Sequence, residues 1–337
     1  MRKLSVLILL VFSLWGGYWF VGSSALENGL KEYLSSEHSQ KDPIQIEYSD
    51  LSVRGFPNRF DTRLSNISLT DTKNGISWRA PFLHVYALSY KPYHIIAALP
   101  HDQTLQLPTE ELRITSDEIK GSVVFSPNSL LDSALEVDRT SFVMRNVVVS
   151  SDLGWKTEIG KGTFATRQTA ANPLHYDLAF SADSISLPDQ LRLAIDPNHQ
   201  NSDVFDKLNF DGTLAVTNPW NLLASGQNQP VITEINVTDL TIIWDNMRFQ
   251  AVGTLHIDRN GFPNGKLNLT AFNWQQMYQL AKNADAVDPD FAQTIQNGLK
   301  VLAGMSENES KIQAPLNFAN GTISLGPLPI GPAPRLY

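Results

Sequence analysis

The chain has 337 residues, no cysteine and a formal net charge of −8. The lack of cysteine excludes disulfides, thiolate metal sites and a cysteine nucleophile. The acidic balance gives no electrostatic footprint for nucleic acid, so we expect no nucleic-acid partner. The length suffices for one large domain or two smaller ones.

The chain begins with a long apolar segment. Arg2 and Lys3 precede residues 4–22, LSVLILLVFSLWGGYWFVG, which contain no charged residue. As a helix this segment would reach roughly 28 Å, close to the thickness of the hydrocarbon core of a bilayer. The basic pair should stay cytoplasmic, and the bulk of the chain should lie on the other side of the membrane.

The segment fits either a permanent anchor or an export signal. Small residues at 23–25 (SSA) would allow signal cleavage near Ala25, followed by export. The apolar run is longer than a usual signal core, and Trp15, Tyr18 and Trp19 crowd its outer end, where aromatic rings favour the membrane interface. We therefore predict a signal-anchor transmembrane helix over residues 1–25, with residues 4–22 contacting the inner membrane.

A second helix is expected directly after the anchor. Leu26, Leu30, Tyr33 and Leu34 recur at helical spacing, and Ser24 is a suitable cap. We predict a juxtamembrane helix over residues 26–40.

From residue 44 the hydrophobic period changes to two, which indicates β-strands. We predict roughly fourteen strands, because short runs are separated by Gly, Pro, Asn and Asp. The clearest runs are residues 59–70, 76–90, 95–99, 103–107, 111–116, 119–125, 141–150, 156–166, 176–187, 207–216, 231–243, 247–257 and 265–272. The alternation in 59–70 is imperfect around Asn66.

Two helices and a hairpin are predicted near the end of the chain. Asn273 should cap a helix over residues 274–283, and Asp288 or Asp290 should begin another. Asn320 and Gly321 should form the turn of a hairpin. The fold class is therefore mainly β: a large antiparallel meander or sandwich, or an open groove-like sheet, with two late helices behind an N-terminal transmembrane helix.

A polar loop at residues 196–202 is the predicted domain boundary. It would separate a β-rich half at residues 41–195 from a second at 203–337 that carries the helices, unless residues 41–337 form one continuous domain. The tetrapeptide GFPN occurs at residues 55–58 and 261–264. It indicates either an internal duplication or coincident turn chemistry.

No catalytic motif is present in the sequence. The seven histidines form neither HxH nor HExxH, and GxSxG and phosphate-binding glycine loops are absent. We therefore predict no catalytic, cofactor-binding or metal-binding residues, no cofactor, and a protein that is not an enzyme.

The strand at residues 78–90 is the best candidate for a binding surface. It is apolar at both parities, so both faces need cover from a second layer or from a ligand. Phe82, Val85, Tyr86 and Leu88 are therefore candidates for lining either the core of a sandwich or an apolar groove for acyl chains. Structural turns are predicted at Gly55, Pro57 and Gly75.

Three segments resemble a proteobacterial family of unknown function numbered 2125. They are RGFPNRF at residues 54–60, APFLHVYALSY at 80–90 and FANGTISLGPLPIGPAPRL at 318–336. The resemblance runs over nearly the whole chain and implies the inner membrane and periplasm of a Gram-negative bacterium. It implies no activity.

A further segment, at residues 253–267, has the pattern G-x-L-x-I-D-x-x-G-x-x-x-G-x-L. It is similar to segments of the AsmA-like envelope proteins, and that similarity implies a membrane-anchored, β-rich protein of lipid transport.

Together these features predict a non-enzymatic, membrane-anchored periplasmic protein of the bacterial envelope. It would bind or transfer lipid or acyl chains in an apolar groove. The alternative is a scaffold that binds envelope proteins through its sheet edges or its proline-rich tail. A hydrolase with dispersed carboxylates is third.

Overall fold

A computed structural model describes residues 2–35, 44–126, 135–221, 229–306 and 308–337. These residues form a mainly β, antiparallel structure with a long N-terminal helix and late helices, as the sequence predicts. The chain divides into two compact units, residues 1–130 with 142–154 and residues 131–141 with 155–337. The predicted boundary loop at 196–202 lies within the second unit, where the Asp196 carboxylate accepts hydrogen bonds from the backbone N–H groups of Gln200 (3.0 Å) and Asn201 (2.8 Å).

Helix α1 (Arg2–Ser35) belongs to the first unit. It is one continuous helix, so the predicted juxtamembrane helix continues directly from the anchor as far as residue 35, and Ser24 lies inside the helix instead of capping it. Residues 23–25 include no proline that would break the helix. The Ser23 hydroxyl donates to the carbonyl of Phe20 within the helix (3.2 Å). Residues 36–40 of the predicted helix lie outside the described residues.

The strands of the first unit centre on a long antiparallel pair, β3 with β4. One part of β3 pairs with β1 and another with β2, and β4 similarly pairs with both β5 and β6. The strands are β1 (Ile44–Glu47), β2 (Asp50–Arg54), β3 (Arg59–Asp71), β4 (Ile76–Leu88), β5 (Lys91–Ala98), β6 (Asp102–Gln106), β7 (Glu111–Thr115), β8 (Glu118–Phe125) and β9 (Val137–Ser151), with residues 142–151 of β9 in this unit.

The alternation of β3 changes phase at Asn66. This residue has a left-handed backbone (φ 49°), and Leu64 and Ile67 on either side of it join the same buried cluster. Leu30 and Leu34 of α1 pack against this cluster. One face of the β3–β4 pair is therefore covered by the outer half of α1.

The second unit is a meander in which each strand pairs antiparallel with the next, from β10 to β18. Its strands are β10 (Lys156–Thr169), β11 (Asn172–Ser186), β12 (Val204–Val216), β13 (Ile232–Trp244), β14 (Met247–Ile257), β15 (Pro263–Phe272), β16 (Lys311–Ala319), β17 (Thr322–Leu325) and β18 (Leu328–Pro332). The predicted hairpin turn joins β16 to β17, with φ 52° at Asn320 and 70° at Gly321.

Three helices, α2 (Asp189–Ile195), α3 (Trp274–Asn283) and α4 (Pro289–Gly304), lie in the second unit. The Asp288 carboxylate caps α4 by accepting the Asp290 N–H (3.0 Å), as predicted. Asn273 precedes α3 but makes no side-chain cap, because its backbone is left-handed and its amide donates to the carbonyl of Asn246 instead. The short helix α2 follows the strand predicted at residues 176–187, in a segment for which the sequence predicted no helix.

The C-terminal tail packs onto its own unit. Ala333 is buried. The Leu336 N–H donates to the Gly261 carbonyl (2.9 Å), and the Tyr337 hydroxyl donates to the Asp258 carbonyl (3.0 Å). Pro332 ends the outermost strand of the meander, a position that proline tolerates.

Candidate functional site

The first notable feature is the contact between α1 and the loops at one end of the first unit. The Trp15 indole donates to the carbonyl of Pro57 (2.9 Å), and the Trp19 indole donates to the carbonyl of Arg59 (2.7 Å). The Tyr18 hydroxyl donates to the carbonyl of Ser89 (2.9 Å). Three aromatic donors of the helix therefore satisfy three loop carbonyls that are distant in sequence.

Aromatic packing reinforces these hydrogen bonds. The Phe56 ring lies edge-on to Trp19 (centroids 5.4 Å apart) and to Phe12 (6.1 Å), and it stacks on Phe20 (5.6 Å). Trp19 also stacks on Phe60 (6.3 Å) and is only 6 % exposed. Trp19 is therefore a core residue of the first unit although it lies before residue 25.

Farther along the helix, Glu27 fixes the position of β2. Its carboxylate accepts the backbone N–H of Val53 (3.1 Å) and the ammonium of Lys31 (2.6 Å). Lys31, and then the Val53 N–H, hold the pKa of the Glu27 carboxyl below its ordinary value. Since Val53 pairs with Glu27 and Phe56 packs on Trp19, β2 runs antiparallel to the helix towards its apolar part.

The apolar part of α1 is exposed within the protein itself. Leu4, Leu9 and Leu14 are all more than half exposed. Of the helices that the structure describes, only this one has the length and composition to cross a bilayer, properties that a signal anchor and an export signal share. The N-terminal helix is thus suited to a membrane.

The second feature is a cavity of about 760 Å³ on the first unit. Strands β2 to β5 form it, and its lining combines charged, aromatic and aliphatic side chains. The lining residues are Asp50, Ser52, Arg54, Arg59, Asp61, Thr62, Arg63, Ser65, His84, Tyr86, Ala87, Leu88, His94 and Ile96. Arg54, Arg59 and Leu88 stand at the strand ends next to the loops that contact α1.

Asp61 is the central acidic group of this cavity. Its Oδ2 pairs with the guanidinium of Arg59 (2.9 Å), and its side chain is 18 % exposed. Its Oδ1 is buried and has no hydrogen-bond partner among the residues that the structure describes. Burial raises the pKa of the Asp61 carboxyl, although Arg59 and His84 oppose that rise. The cavity thus places an acidic side chain among the cationic ones of Arg54, Arg59 and Arg63.

His84 and its neighbours form the aromatic side of the cavity. The imidazole stacks on Phe82 (centroids 4.5 Å apart), and its Nδ1 lies 3.0 Å from the Tyr86 hydroxyl. The Arg63 guanidinium lies over the Phe82 ring (5.6 Å). Burial, and then the charge of Arg63, lower the pKa of His84, so the histidine is held neutral.

The residues singled out in the sequence lie at different places in this site. Tyr86 and Leu88 line the cavity. Phe82 stacks beside it on His84, whereas Val85 has the opposite parity along β4 and so lies on the other face. The groove role of these four residues stays a prediction.

The turn residues occupy two loops. Gly55 (φ 107°) and Pro57 lie in the loop between β2 and β3, where the Phe56–Pro57 peptide bond is cis. Gly75 (φ 68°) lies in the turn between β3 and β4, and its N–H donates to the carbonyl of Asp71 (2.9 Å).

The charged residues of the cavity were not predicted. Arg59, Asp61 and Arg63 alternate along β3, so a period of two puts them on one face. That pattern was visible in the sequence. The sequence did not show which face of this strand α1 would cover.

The second unit contains a smaller, open cavity of about 350 Å³, lined by side chains from α2, α3 and strands β12 to β14. Its lining is entirely apolar: Ile195, Phe205, Ile242, Trp244, Met247, Phe249, Met277, Leu280, Ala281 and Ala284. Stacking of Phe205 on Trp244 (4.2 Å) closes one wall.

Among the residues that the structure describes, no group of three or more His, Asp or Glu could hold a metal ion.

The family model of uncharacterized proteins conserved in bacteria (DUF2125) matches residues 19–334. This match confirms the resemblance to the family numbered 2125. No curated protein matches the chain, and no solved structure does either. The similarity to AsmA-like envelope proteins stays a prediction from residues 253–267.

Proposed function

This chain belongs to DUF2125, a family of uncharacterized proteins conserved in bacteria, and from its geometry we propose a binding function at the membrane. In this proposal α1 is a retained single-pass anchor in the inner membrane, and the rest of the chain is periplasmic. The cavity of the first unit receives a phospholipid, with its phosphate near the arginines and the start of an acyl chain along the aliphatic side. The protein binds this lipid without catalysis.

Burial of Trp19 supports the retained anchor. Signal cleavage near Ala25 would remove Trp15, Tyr18 and Trp19 together, leaving their carbonyl acceptors unpaired and Phe60 uncovered. The family match also begins at Trp19, before the candidate cleavage position. The basic residues Arg2 and Lys3 support a cytoplasmic N-terminus.

The mixed lining of the 760 Å³ cavity is the observation that carries the lipid proposal. A purely apolar ligand would leave the Arg63 guanidinium facing hydrocarbon, and a small ion would leave Tyr86, Leu88 and Ile96 uncovered. An amphipathic molecule satisfies both parts, because guanidinium groups bind phosphate strongly and apolar walls bind hydrocarbon. The cavity lies next to the loops that α1 contacts, because its lining includes Arg54, Arg59 and Leu88 at the strand ends. A lipid from the membrane would enter at this end.

Photo-crosslinking in membranes tests this proposal. The full-length chain would be reconstituted with a phosphatidylglycerol that carries a diazirine in its acyl chain, and crosslinked peptides would be mapped by mass spectrometry. We expect crosslinks on β4 and β5 in addition to those on α1, which bulk lipid labels in any case. Labelling of α1 alone would contradict the cavity proposal and leave the anchor intact.

A matched pair of arginine variants sharpens the test. Arg63→Gln removes a cavity cation and should lower the β4–β5 crosslink yield severalfold. Arg113→Gln removes a strand cation of the same unit that pairs with Asp102 outside the cavity lining (2.6 Å), so it should leave that yield unchanged. Equal effects of both variants would contradict a role for the cavity.

The scaffold alternative has less support. Residues 333–337 contact their own unit through Gly261 and Asp258, so this part of the proline-rich tail is already occupied. A scaffold would then have to use the sheet edges. The hydrolase alternative also has less support, because the Asp61 carboxylate is held in an ion pair with Arg59 (2.9 Å).

A further inference from the structure

We propose that two loops of the first unit, residues 55–58 and 89–90, enter the outer half of the bilayer beside α1. This inference rests on the part of the proposed function in which α1 stays in the membrane. It adds a second membrane contact, formed by the β domain itself, and it fixes how deeply that domain sits. We call residues 55–58 and 89–90 the membrane loops.

The depth follows from the contacts of Phe56. Its ring packs on Phe12, Trp19 and Phe20, all within the uncharged run 4–22 of α1. At 1.5 Å per residue these positions lie between about 3 and 15 Å below the end of that run at Gly22. If residues 4–22 span the hydrocarbon, the Phe56 ring lies inside it.

The backbone of the membrane loops suits an apolar environment. In the hydrocarbon core every backbone polar group needs a partner within the protein. The carbonyls of Pro57 and Ser89 accept bonds from Trp15 and Tyr18, and that of Asn58 accepts the Ser89 N–H (2.9 Å). The aromatic donors of α1 therefore supply hydrogen bonds that lipid would not.

The side chains of the loops follow the same pattern. Phe56 is 42 % exposed and Tyr90 56 % exposed, although both are large and apolar enough to be buried in a soluble protein. Arg54, Arg59 and Lys91 flank the loops on the strands that rise from them. Long cationic side chains at this level extend to the lipid phosphates, and tyrosine favours the interface.

Close packing at Gly22 explains how the loops reach this depth beside the helix. A Cβ atom at this position would lie 3.0 Å from the Phe60 ring, so glycine lets the start of β3 approach the helix axis. Glu27, the first charge after the run, already contacts β2 at Val53. The loops therefore continue a contact that begins outside the hydrocarbon and proceeds into it.

The chain has no cysteine, so single labels can be introduced without background. The full-length chain would carry bimane on cysteine at one position at a time, in vesicles of phosphatidylethanolamine and phosphatidylglycerol. Phe56→Cys tests the inference. Leu153→Cys is the control, because Leu153 is a 62 % exposed apolar residue of a different turn in the same unit. Tyr90→Cys tests the second loop and leaves the Phe56 packing intact.

We expect lipid-borne nitroxide to quench the label at positions 56 and 90 severalfold more than at 153, and aqueous iodide to show the reverse order. Iodide quenching at 56 and 90 equal to that at 153 would overturn the inference. A label at Val11, an exposed position within the apolar run, separates the two proposals. A lipid-quenched label at 11 with aqueous labels at 56 and 90 refutes the membrane loops alone, whereas an aqueous label at 11 refutes the anchor as well.

Discussion

Replacement of Trp19 by alanine tests whether α1 is part of the folded first unit. The indole is 6 % exposed, packs on Phe56 and Phe60, and donates to the carbonyl of Arg59. Truncation of a buried tryptophan costs about 3–5 kcal/mol. Lipid or detergent can fill part of the space, so we expect about 3 kcal/mol, the lower end of that range.

Hydrogen exchange of the full-length chain in detergent measures this loss locally. A change of about 3 kcal/mol corresponds to roughly 100-fold faster exchange of the β2–β3 amides that open with the unit. Leu14→Ala is the control, because Leu14 lies in the same helix but is 67 % exposed. Trp19→Phe keeps a ring and removes the indole donor, so it should give an intermediate increase.

The result that would refute this reasoning is unchanged β2–β3 exchange in Trp19→Ala relative to Leu14→Ala. In that case the helix would contribute nothing to the stability of the first unit, and cleavage near Ala25 would be tolerated. A mature chain that lacks residues 1–25 in membranes from the natural host would refute the retained anchor directly.

Three further predictions follow from local geometry. In denaturant unfolding, Gly55→Ala should destabilise the first unit by about 1–3 kcal/mol more than Gly154→Ala. Both glycines have a positive φ, but only a Cβ atom at position 55 would lie 2.9 Å from a backbone oxygen, that of Arg59. His84→Gln should reduce the loss of stability of the protein between pH 7.5 and pH 5. The pKa of His84 in the folded protein is lowered from 6.5, so below pH 6.5 the unfolded chain binds more protons than the folded one. The stability of the wild-type protein therefore falls as the pH decreases through 6.5, and the variant lacks this contribution. An unchanged pH profile would contradict the buried, neutral His84. Deletion of residues 333–337 should lower the thermal midpoint of the second unit, because it removes three hydrogen bonds to the turn at residues 258–261, each worth about 0.5–1.5 kcal/mol; an unchanged midpoint would show that the tail is dispensable.

Local patterns predicted most of the fold. Strands β10 to β17 and helix α4 follow from short-range periodicity, turn residues and the Asp288 cap, all of which act within a few residues. Strand β18 was not predicted, because its segment is rich in proline. A left-handed backbone overrides the side-chain pattern in two places: the irregular alternation around Asn66 was visible in the sequence, whereas the side-chain cap predicted at Asn273 was wrong. At Asn66 the positive φ shifts the phase of β3, and at Asn273 the same conformation removes the expected cap.

The candidate site could be predicted only in part. Tyr86 and Leu88 were found because a strand that is apolar at both parities needs cover on both faces. The role of Trp19 could not be found in the same way. Its aromatic character fitted a membrane interface equally well, and its contact with Arg59 joins residues that are 40 positions apart. Only the folded structure shows that Trp19 is a core residue of the first unit.

In the proposed function, the docked helix also explains how an acidic protein would hold a lipid-binding cavity at a membrane. A net charge of −8 is repelled by anionic lipid headgroups, so electrostatics alone would turn the domain away from the surface. A flexible tether would limit only the distance of the domain from the membrane. Hydrogen bonds from Trp15, Tyr18 and Trp19 fix its orientation as well, because they join the membrane helix to the strand ends where Arg54 and Arg59 stand. Loss of these three bonds should therefore reduce lipid crosslinking in the cavity even when Arg63 is intact and the anchor remains in the bilayer.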